Sequence, residues 1–440
     1  MKRLLYILFL STVVFAACDD EDNYEWGSYQ NSPIKSVACT PMFMPLAVSD
    51  GTVMAVSEND SLYSINKVFS DGSIKSVSLN FTWSENRSFN PVQNHNNDQD
   101  ANHSTEGNPS PIQDRIQNIY VDLSNGMFRK NSNDEYYFDY YSANNFGRQY
   151  YAVVKFDKDC NILFQIDSTV NAMGGGMGGN TSTVTKLPVA GTPLNNGGYA
   201  MILQAPAMGM MQTTDYSLIL RMIDSNGKYG SEYTLDFSET VNIEVVTNVN
   251  NNIAIYYELS DGSYYYNVYT QNGELIGKYQ ISTNNNLFNS LTYNDNVFLS
   301  GVDLSTGQYF IQQLDQDGNI TTEIPLKVAA LLTNITEFDG YRCFSGFTQT
   351  DISGKVSSDS YTNYISNYNG VIILAKDGVM QDPIIADYNN GVIIYATFKN
   401  TDGTYTIYLS QVTPITAAVT EYGDKIYIYH TDDLKKLEVN

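Results

Sequence analysis

The stretch NVFLSGVDLSTGQYFIQQLDQDGNI, residues 296–320, decides the fold, because NIAIYYELSDGSYYYNVYTQNGELI, residues 252–276, repeats its pattern. Each stretch has an alternating apolar strand, a short turn with Gly, a second strand, and an Asn-Gly or Asp-Gly turn into a third strand. These Gly turns lie 45 residues apart. They indicate hairpins, since such turns need a positive φ, which Gly and Asn tolerate.

Further copies of this unit run along the chain, and we count eight. They lie at residues 51–74, 135–162, 198–229, 252–276, 296–320, around 343–346, at 390–410 and at 424–439. A repeat of about 45 residues with four short strands indicates a β-propeller. We therefore predict an all-β chain whose residues 34–440 form a single β-propeller of eight four-stranded blades. Seven blades is the alternative, if the first or last unit is half a blade.

The ends of the chain are predicted to close the ring together. The last unit, DKIYIYHTDDLKKLEV, is one strand short of a complete blade. A segment from Ile34 to Cys39 precedes the first unit and has no blade of its own. We expect this N-terminal strand to complete the last blade.

The charge of the chain restricts its partners. It has 24 Lys and Arg against 48 Asp and Glu, a formal net charge of −24. Such a charge repels phosphate backbones, so nucleic acid is not a partner. It favours solubility and attracts cationic ligands or metal ions without choosing among them.

The cysteines do not indicate a disulfide framework. After Cys18 the chain has only Cys39, Cys160 and Cys343, at wide spacings. An odd number without a C-x-x-C pair predicts no zinc site and allows at most one disulfide.

The first seventeen residues, MKRLLYILFLSTVVFAA, have the features of a targeting segment. Lys2 and Arg3 precede an apolar run that is too short to span a bilayer, which needs about 20 residues in a helix. We therefore predict a cleaved signal peptide over residues 1–17. An acidic and polar linker, residues 18–33, is predicted to follow it.

The junction FAAC, residues 15–18, resembles the lipobox of bacterial lipoproteins. The resemblance covers residues 1–22 and implies that Cys18 becomes the first residue and carries acyl chains such as palmitate. Two or more acyl chains hold a protein firmly on a membrane, so the lipid anchor is the only membrane contact expected. The acidic residues 19–22 resemble the surface-export signal of Bacteroidota lipoproteins. That resemblance implies the bacterial outer membrane, with the protein facing the cell exterior; the alternative is a solvated linker that is merely acidic.

Motifs for catalysis and metal binding are weak or absent. The sequence lacks G-x-S-x-G, H-E-x-x-H and a phosphate-binding loop with Gly-Lys-Ser/Thr. Asp98 and Asp100 resemble the opening of a calcium loop, but His103 replaces the required Gly. The methionines of residues 173–177 and 208–211 are soft ligands that suit Cu(I), although flexible apolar loops are the favoured interpretation. We predict no cofactor. The methionine-rich segments and the pair Asp98 and Asp100 are the weak candidates for a metal site.

The ligand site is predicted on one face of the propeller. With strands A to D numbered outward in each blade, the A–B and C–D turns are short. The long segments 84–117, 168–182, 205–213 and 349–362 are all D–A or B–C connections, which lie on the opposite face. Function concentrates on loops carried by a rigid scaffold. The predicted ligand-binding residues are Trp83, Tyr140, Tyr141, Phe146, Arg148, Met173, Met177, Met208, Met210 and Met211.

Packing between blades is the default role for the tyrosine pairs, and stacking against a sugar is the other role considered. The two members of a pair such as Tyr140 and Tyr141 point to opposite faces of a strand.

Three functions remain open from the sequence. The first is a surface lipoprotein that binds a glycan, a peptide or a metal chelate, possibly as an accessory to an outer-membrane transporter. The second is a surface enzyme, a glycan hydrolase or lyase on a propeller scaffold; a non-enzymatic role is favoured over it. The third is an adhesion or partner-docking protein. Propeller folds host all three, so the fold alone does not choose among them.

Overall fold

The structure is a computed structural model that describes most of the repeat region. The described residues are 35–39, 44–59, 62–81, 126–143, 148–171, 186–205, 217–237, 241–259, 263–281, 285–294, 296–303, 305–315, 319–326, 330–351, 366–386, 392–416, 419–422 and 425–434. The predicted signal peptide, Cys18 and the predicted acidic linker lie outside them. Within them the chain forms strands β1 to β30 in seven sheets. No helix there has the length and apolar character needed to cross a membrane.

Each sheet is one blade of antiparallel strands, and six blades follow the chain order. β1 spans Lys35–Ala38. Blade 1 has β2 (Leu46–Ala47), β3 (Val53–Asn59), β4 (Leu62–Val68) and β5 (Ile74–Leu79). Blade 2 has β6 (Gly126–Lys130), β7 (Tyr136–Ala143), β8 (Arg148–Phe156) and β9 (Ile162–Asn171). Blade 3 has β10 (Leu187–Pro193), β11 (Tyr199–Ala205), β12 (Ser217–Ile223) and β13 (Tyr229–Thr234). Blade 4 has β14 (Val241–Val249), β15 (Asn252–Leu259), β16 (Tyr264–Tyr269) and β17 (Leu275–Ile281).

Of the remaining three blades, blade 5 follows this plan and blades 6 and 7 vary it at their outer strands. Blade 5 has β18 (Asn285–Tyr293), β19 (Asn296–Asp303), β20 (Gln308–Leu314) and β21 (Ile320–Leu326). Blade 6 has β22 (Leu331–Phe338), β23 (Tyr341–Asp351), β24 (Ser366–Lys376) and a fourth strand in two pieces, β25 (Val379–Met380) and β26 (Ile384–Ala386). Blade 7 has β27 (Val392–Lys399), β28 (Tyr405–Thr416), β30 (Lys425–Thr431) and β1. A short strand, β29 (Val419–Tyr422), pairs antiparallel with the last part of β28.

The ring has seven blades, so the count of eight is wrong and the alternative of seven is confirmed. The units at 390–410 and 424–439 were counted separately, but their strands pair within one sheet, with Tyr408 opposite Ile428. They look like two units in the sequence because the hairpin of β28 and β29 lies between them in the chain. The predicted closure by the N-terminal strand is confirmed, since β1 pairs with β30 and Val37 lies opposite Ile426.

Seven apolar clusters hold the ring together, one at each boundary between neighbouring blades. Strand alternation supplies them, because successive side chains point to opposite faces of a blade. Tyr256 therefore packs toward blade 5 and Tyr257 toward blade 3. The cluster between blades 7 and 1 contains Val37 and Val53, and it joins the two ends of the chain.

A buried asparagine reinforces the closed ring near its axis. The side-chain amide of Asn334 in blade 6 donates to the carbonyl of Pro45, just before blade 1, and to that of Tyr395 in blade 7, both at 2.8 Å. Its side-chain oxygen accepts from the backbone N–H of Ala47 at 2.9 Å. One side chain thus connects three blades.

Many of the short turns, among them those at 69–73, 224–228 and 270–274, share one five-residue geometry. The N–H of the first residue donates to the carbonyl of the fifth, and the N–H of the fourth donates back to the carbonyl of the first, as at Asp224 and Thr270. The fourth residue has a positive φ, for example Gly227 at 82° and Gly273 at 77°. Cys160 occupies the same position at 62°, which explains why its turn lacks the Gly signal.

The strand order assigns each connection to a face. The A–B and C–D turns define the short-turn face, and the B–C and D–A connections define the long-loop face. The connections 206–216 and 352–365 follow second strands, whereas 80–125 and 172–186 follow outer strands. The prediction that all four long segments belong to the B–C or D–A class is confirmed by this order.

Candidate functional site

Most of the predicted ligand-binding residues lie outside the described residues. These are Trp83, Phe146, Met173, Met177, Met208, Met210 and Met211, as well as the weak calcium candidates Asp98 and Asp100. Arg148 begins β8, but its side chain also lies outside the description. The structure therefore places only the side chains of Tyr140 and Tyr141.

Both tyrosines lie at blade boundaries. Tyr140 is 3% exposed and belongs to the cluster between blades 1 and 2. Tyr141 points the other way, packs against the cluster between blades 2 and 3, and its hydroxyl lies 2.9 Å from the hydroxyl of Tyr199. The alternation predicted for this pair is observed, and burial assigns Tyr140 to packing.

Tyr141 belongs to a buried polar network that connects blades 2, 3 and 4. Arg129 Nε donates to Asp139 Oδ2 at 2.9 Å, and Arg129 Nη1 donates to the carbonyl of Val246 in blade 4 at 2.9 Å. The Tyr199 hydroxyl, from blade 3, donates to the same carboxylate oxygen of Asp139. The side chains of Arg129 and Asp139 are 17% and 3% exposed.

The charges of this network fit a structural role. Burial raises the pKa of the Asp139 carboxyl, although Arg129 and the Tyr199 hydroxyl act in the opposite direction. Burial and the nearby Asp139 charge raise the pKa of both Tyr141 and Tyr199 well above the ordinary value. Burial alone would lower the pKa of Arg129, but Asp139, Tyr199 and Tyr141 together outweigh burial and the pKa is raised. The tyrosines therefore remain neutral donors and the arginine remains a cation at neutral pH.

Reactive thiols and metal clusters are not found among the residues that the structure places. Cys39, Cys160 and Cys343 are free and buried. Burial raises the pKa of the first two thiols to about 11 and that of Cys343 to about 12, which disfavours the nucleophilic thiolate. Within the described ranges, no three His, Cys, Asp or Glu side chains come close enough to hold a metal ion.

The ends of the strands define the scaffold for the long connections. Ala205 ends the second strand of blade 3 and Ser217 begins its third, so the connection 206–216 leaves and re-enters at one edge of that blade. Asn171 ends the outer strand of blade 2, and Leu187 begins the inner strand of blade 3. Because the strands are antiparallel, these four ends lie on the same face. The two methionine-rich connections therefore start and finish on one face of adjacent blades.

A cleft of about 760 Å³ opens on the other face, between blades 5 and 6. Gln313 and Thr322 line its blade 5 wall, and Glu337, Arg342 and Asp377 line its blade 6 wall. The sequence does not predict this cleft. Its residues are far apart in the chain, and polar side chains beside short turns give no distinct signal.

Comparisons with known proteins identify no family for this chain. No protein-family model and no curated protein matches the chain. A puromycin hydrolase structure is 10% identical, with a TM-score of 0.38, and the match covers 85% of this chain and 58% of that one. A prolyl endopeptidase structure is 7% identical, with a TM-score of 0.38, and the match covers 86% of this chain and 47% of that one. This chain therefore spans about half of that protein. The structure of the phage phi92 endosialidase is 10% identical, with a TM-score of 0.35, and the match covers 91% of this chain and 69% of that one.

Proposed function

We propose that the protein is a lipoprotein held on the outer surface of a bacterial outer membrane through Cys18, where it captures a ligand on the long-loop face of its propeller. A glycan, a peptide or a metal chelate is the ligand class, and delivery to an outer-membrane transporter is the expected use. The proposal combines the lipobox-like junction at residues 15–18 with the propeller scaffold.

The observation that carries the ligand-binding part is the one-sided distribution of long connections. All four are B–C or D–A connections, whereas the A–B and C–D turns of the described blades are short. Unconstrained insertions would occur in both classes. Their restriction to one face supports a binding surface built on a rigid scaffold.

The entry point of the chain supports the proposed orientation. β1 is the outermost strand of blade 7, and it begins on the short-turn face, where Lys35 Nζ donates to the carbonyl of Asp71 in a C–D turn at 3.2 Å. The polypeptide from Cys18 therefore joins the propeller at the rim of the short-turn face. This arrangement leaves the long-loop face directed away from the point of attachment.

Shortening the connections tests the ligand-binding part. The chain from Asp19 to Asn440 is screened against neutral and acidic oligosaccharides, short peptides and buffered Cu(I). The binding that emerges is measured again after residues 206–216 are replaced by an Asn-Gly turn. We expect the affinity to fall at least tenfold. A matched control replaces Ser225 and Asn226, in a short turn of the same blade, by alanine, and it should bind normally. Equal affinity of the shortened variant would contradict a long-loop site.

A further inference from the structure

The cleft between blades 5 and 6 lies next to an irregular outer part of blade 6. Its fourth strand is divided into β25 and β26, with Pro383 just before the second piece. Proline has no N–H for a sheet ladder and interrupts strand pairing. The turn before β25 contains Gly378, where an added Cβ would lie 3.7 Å from Thr322 Cγ2 across the cleft. A larger side chain at position 378 would narrow the opening of the cleft.

Arg342 lies in the cleft and is held in place by both blades. Its Nη1 donates to Gln313 Oε1 of blade 5 at 2.7 Å, and its Nε lies 3.4 Å from Glu337 Oε1 of blade 6. The guanidinium carbon lies 5.3 Å from the ring centre of Phe298. Gln313 is itself held, because its Nε2 donates to Asn296 Oδ1 at 2.9 Å. The arginine is thus oriented before any ligand arrives, and 36% of its side chain remains exposed.

The mixture of charges in the cleft selects among ligand classes. Glu337 and Asp377 supply carboxylate acceptors, and Arg342 supplies N–H donors. A phosphate or carboxylate ligand offers only acceptors, which leaves Glu337 and Asp377 without a donor, and the net charge of −24 repels it although Lys376 Nζ lies beside Gly340 at the edge of the cleft. An ammonium ligand offers only donors and would be repelled by the positive charge of Arg342, which also offers only donors. A hydroxyl both donates and accepts, so a series of hydroxyls satisfies both kinds of wall group.

We propose that this cleft binds a neutral oligosaccharide. Its volume lies within the roughly 300–1,000 Å³ usual for small-ligand sites. The saccharide hydroxyls donate to Glu337 and Asp377 and accept from Arg342. This site is on the short-turn face and requires neither the lipid anchor nor the long-loop site.

Calorimetric titration of the chain from Asp19 to Asn440 tests the proposal. The probes are neutral hexasaccharides of glucose, mannose, xylose and galactose, with hexagalacturonate and hexaglucosamine as the charged counterparts. We expect one or more neutral hexasaccharides to bind with a dissociation constant of millimolar or below, and the charged oligosaccharides at least tenfold more weakly. A second arm uses phosphatidylcholine vesicles carrying a digalactosyl lipid, which separates membrane-attached from dissolved saccharide. Absence of binding in both arms, or tighter binding of a charged probe, would overturn the proposal.

Two substitutions place the binding in the cleft. Thr322→Trp fills the opening opposite Gly378 and should lower the affinity at least tenfold in whichever arm shows binding. The matched control is Ser231→Trp, at the corresponding exposed position of the outer strand of blade 3, which should leave the affinity unchanged. Asp377→Asn keeps the shape of an exposed side chain and should weaken binding severalfold. If Thr322→Trp folds, as judged by circular dichroism, and binds like the control, the assignment to this cleft is wrong.

Discussion

The hydroxyl of Tyr199 in blade 3 donates to the buried carboxylate of Asp139 in blade 2, across the boundary between the two blades. Asp139 also accepts from Arg129, which reaches on to a backbone carbonyl of blade 4. The centre of the ring is therefore held by directed polar contacts as well as by apolar packing.

Tyr199→Phe tests the strength of this contact. The substitution keeps the ring but removes a hydrogen bond to a charged, buried group, which contributes about 2 kcal/mol. We expect the free energy of unfolding in urea to fall by that amount. Tyr266→Phe is the matched control, because the Tyr266 hydroxyl is buried and has no hydrogen-bond partner among the described residues. It should not lower the free energy of unfolding, because removal of a buried hydroxyl without a partner relieves its desolvation cost. Equal losses in the two variants would show that the Asp139 contact contributes nothing.

Val37→Asp tests closure of the ring by the N-terminal strand. Val37 is 5% exposed in the cluster between blades 7 and 1, and a charge there would be buried without a partner. We expect a loss of about 3 kcal/mol in the free energy of unfolding, measured in urea by circular dichroism. The neighbouring Ser36 is exposed, so Ser36→Asp should cost less than about 0.5 kcal/mol. If Val37→Asp leaves the free energy of unfolding unchanged, β1 does not stabilise the fold.

Acid sensitivity is expected from the short turns. Hydrogen bonds within the turns lower the pKa of Asp71, Asp224, Asp303 and Asp402, mainly from Ser73, Lys228, Ser305 and Thr404 respectively. A folded-state pKa below the unfolded value, about 3.9 for aspartate, adds stability above that value. This stability is lost as the pH falls through the folded-state pKa.

The melting temperature followed from about pH 6 to about pH 3 measures this effect. It should decrease most steeply at and below about pH 4. The variant with all four aspartates changed to asparagine keeps an oxygen acceptor but has no carboxyl to protonate, so its decrease should be smaller. A decrease as steep as that of the unchanged chain would exclude these turns as its source.

The repeat pattern was sufficient to predict the propeller, because turn chemistry and strand alternation are local properties. Gly273 and its counterparts mark turns that need a positive φ, and the order of strands then follows the chain. The number of blades is harder to predict from the sequence. The pairing of Tyr408 with Ile428 joins two units that look independent in the sequence.

The polar centre and the cleft depend on contacts that the sequence alone does not reveal. Asp139 stands in a run of aromatic residues, which is a signal that a buried carboxylate needs a partner. Nothing near it in the chain identifies Tyr199 as that partner, because the two residues belong to different blades. Likewise, Gln313 and Arg342 meet only because blades 5 and 6 pack side by side.

Surface display through Cys18 is the central claim, and protease cleavage on intact cells measures it most directly. A specific protease site is inserted between Met210 and Met211 of the full-length protein in a host that exports lipoproteins to its surface, and a periplasmic reporter with the same site serves as the control. We predict that added protease cuts the protein while the reporter stays intact, and that Cys18→Ala removes the cell-bound, cleavable form. A protein that resists the protease until the outer membrane is opened would contradict the claim.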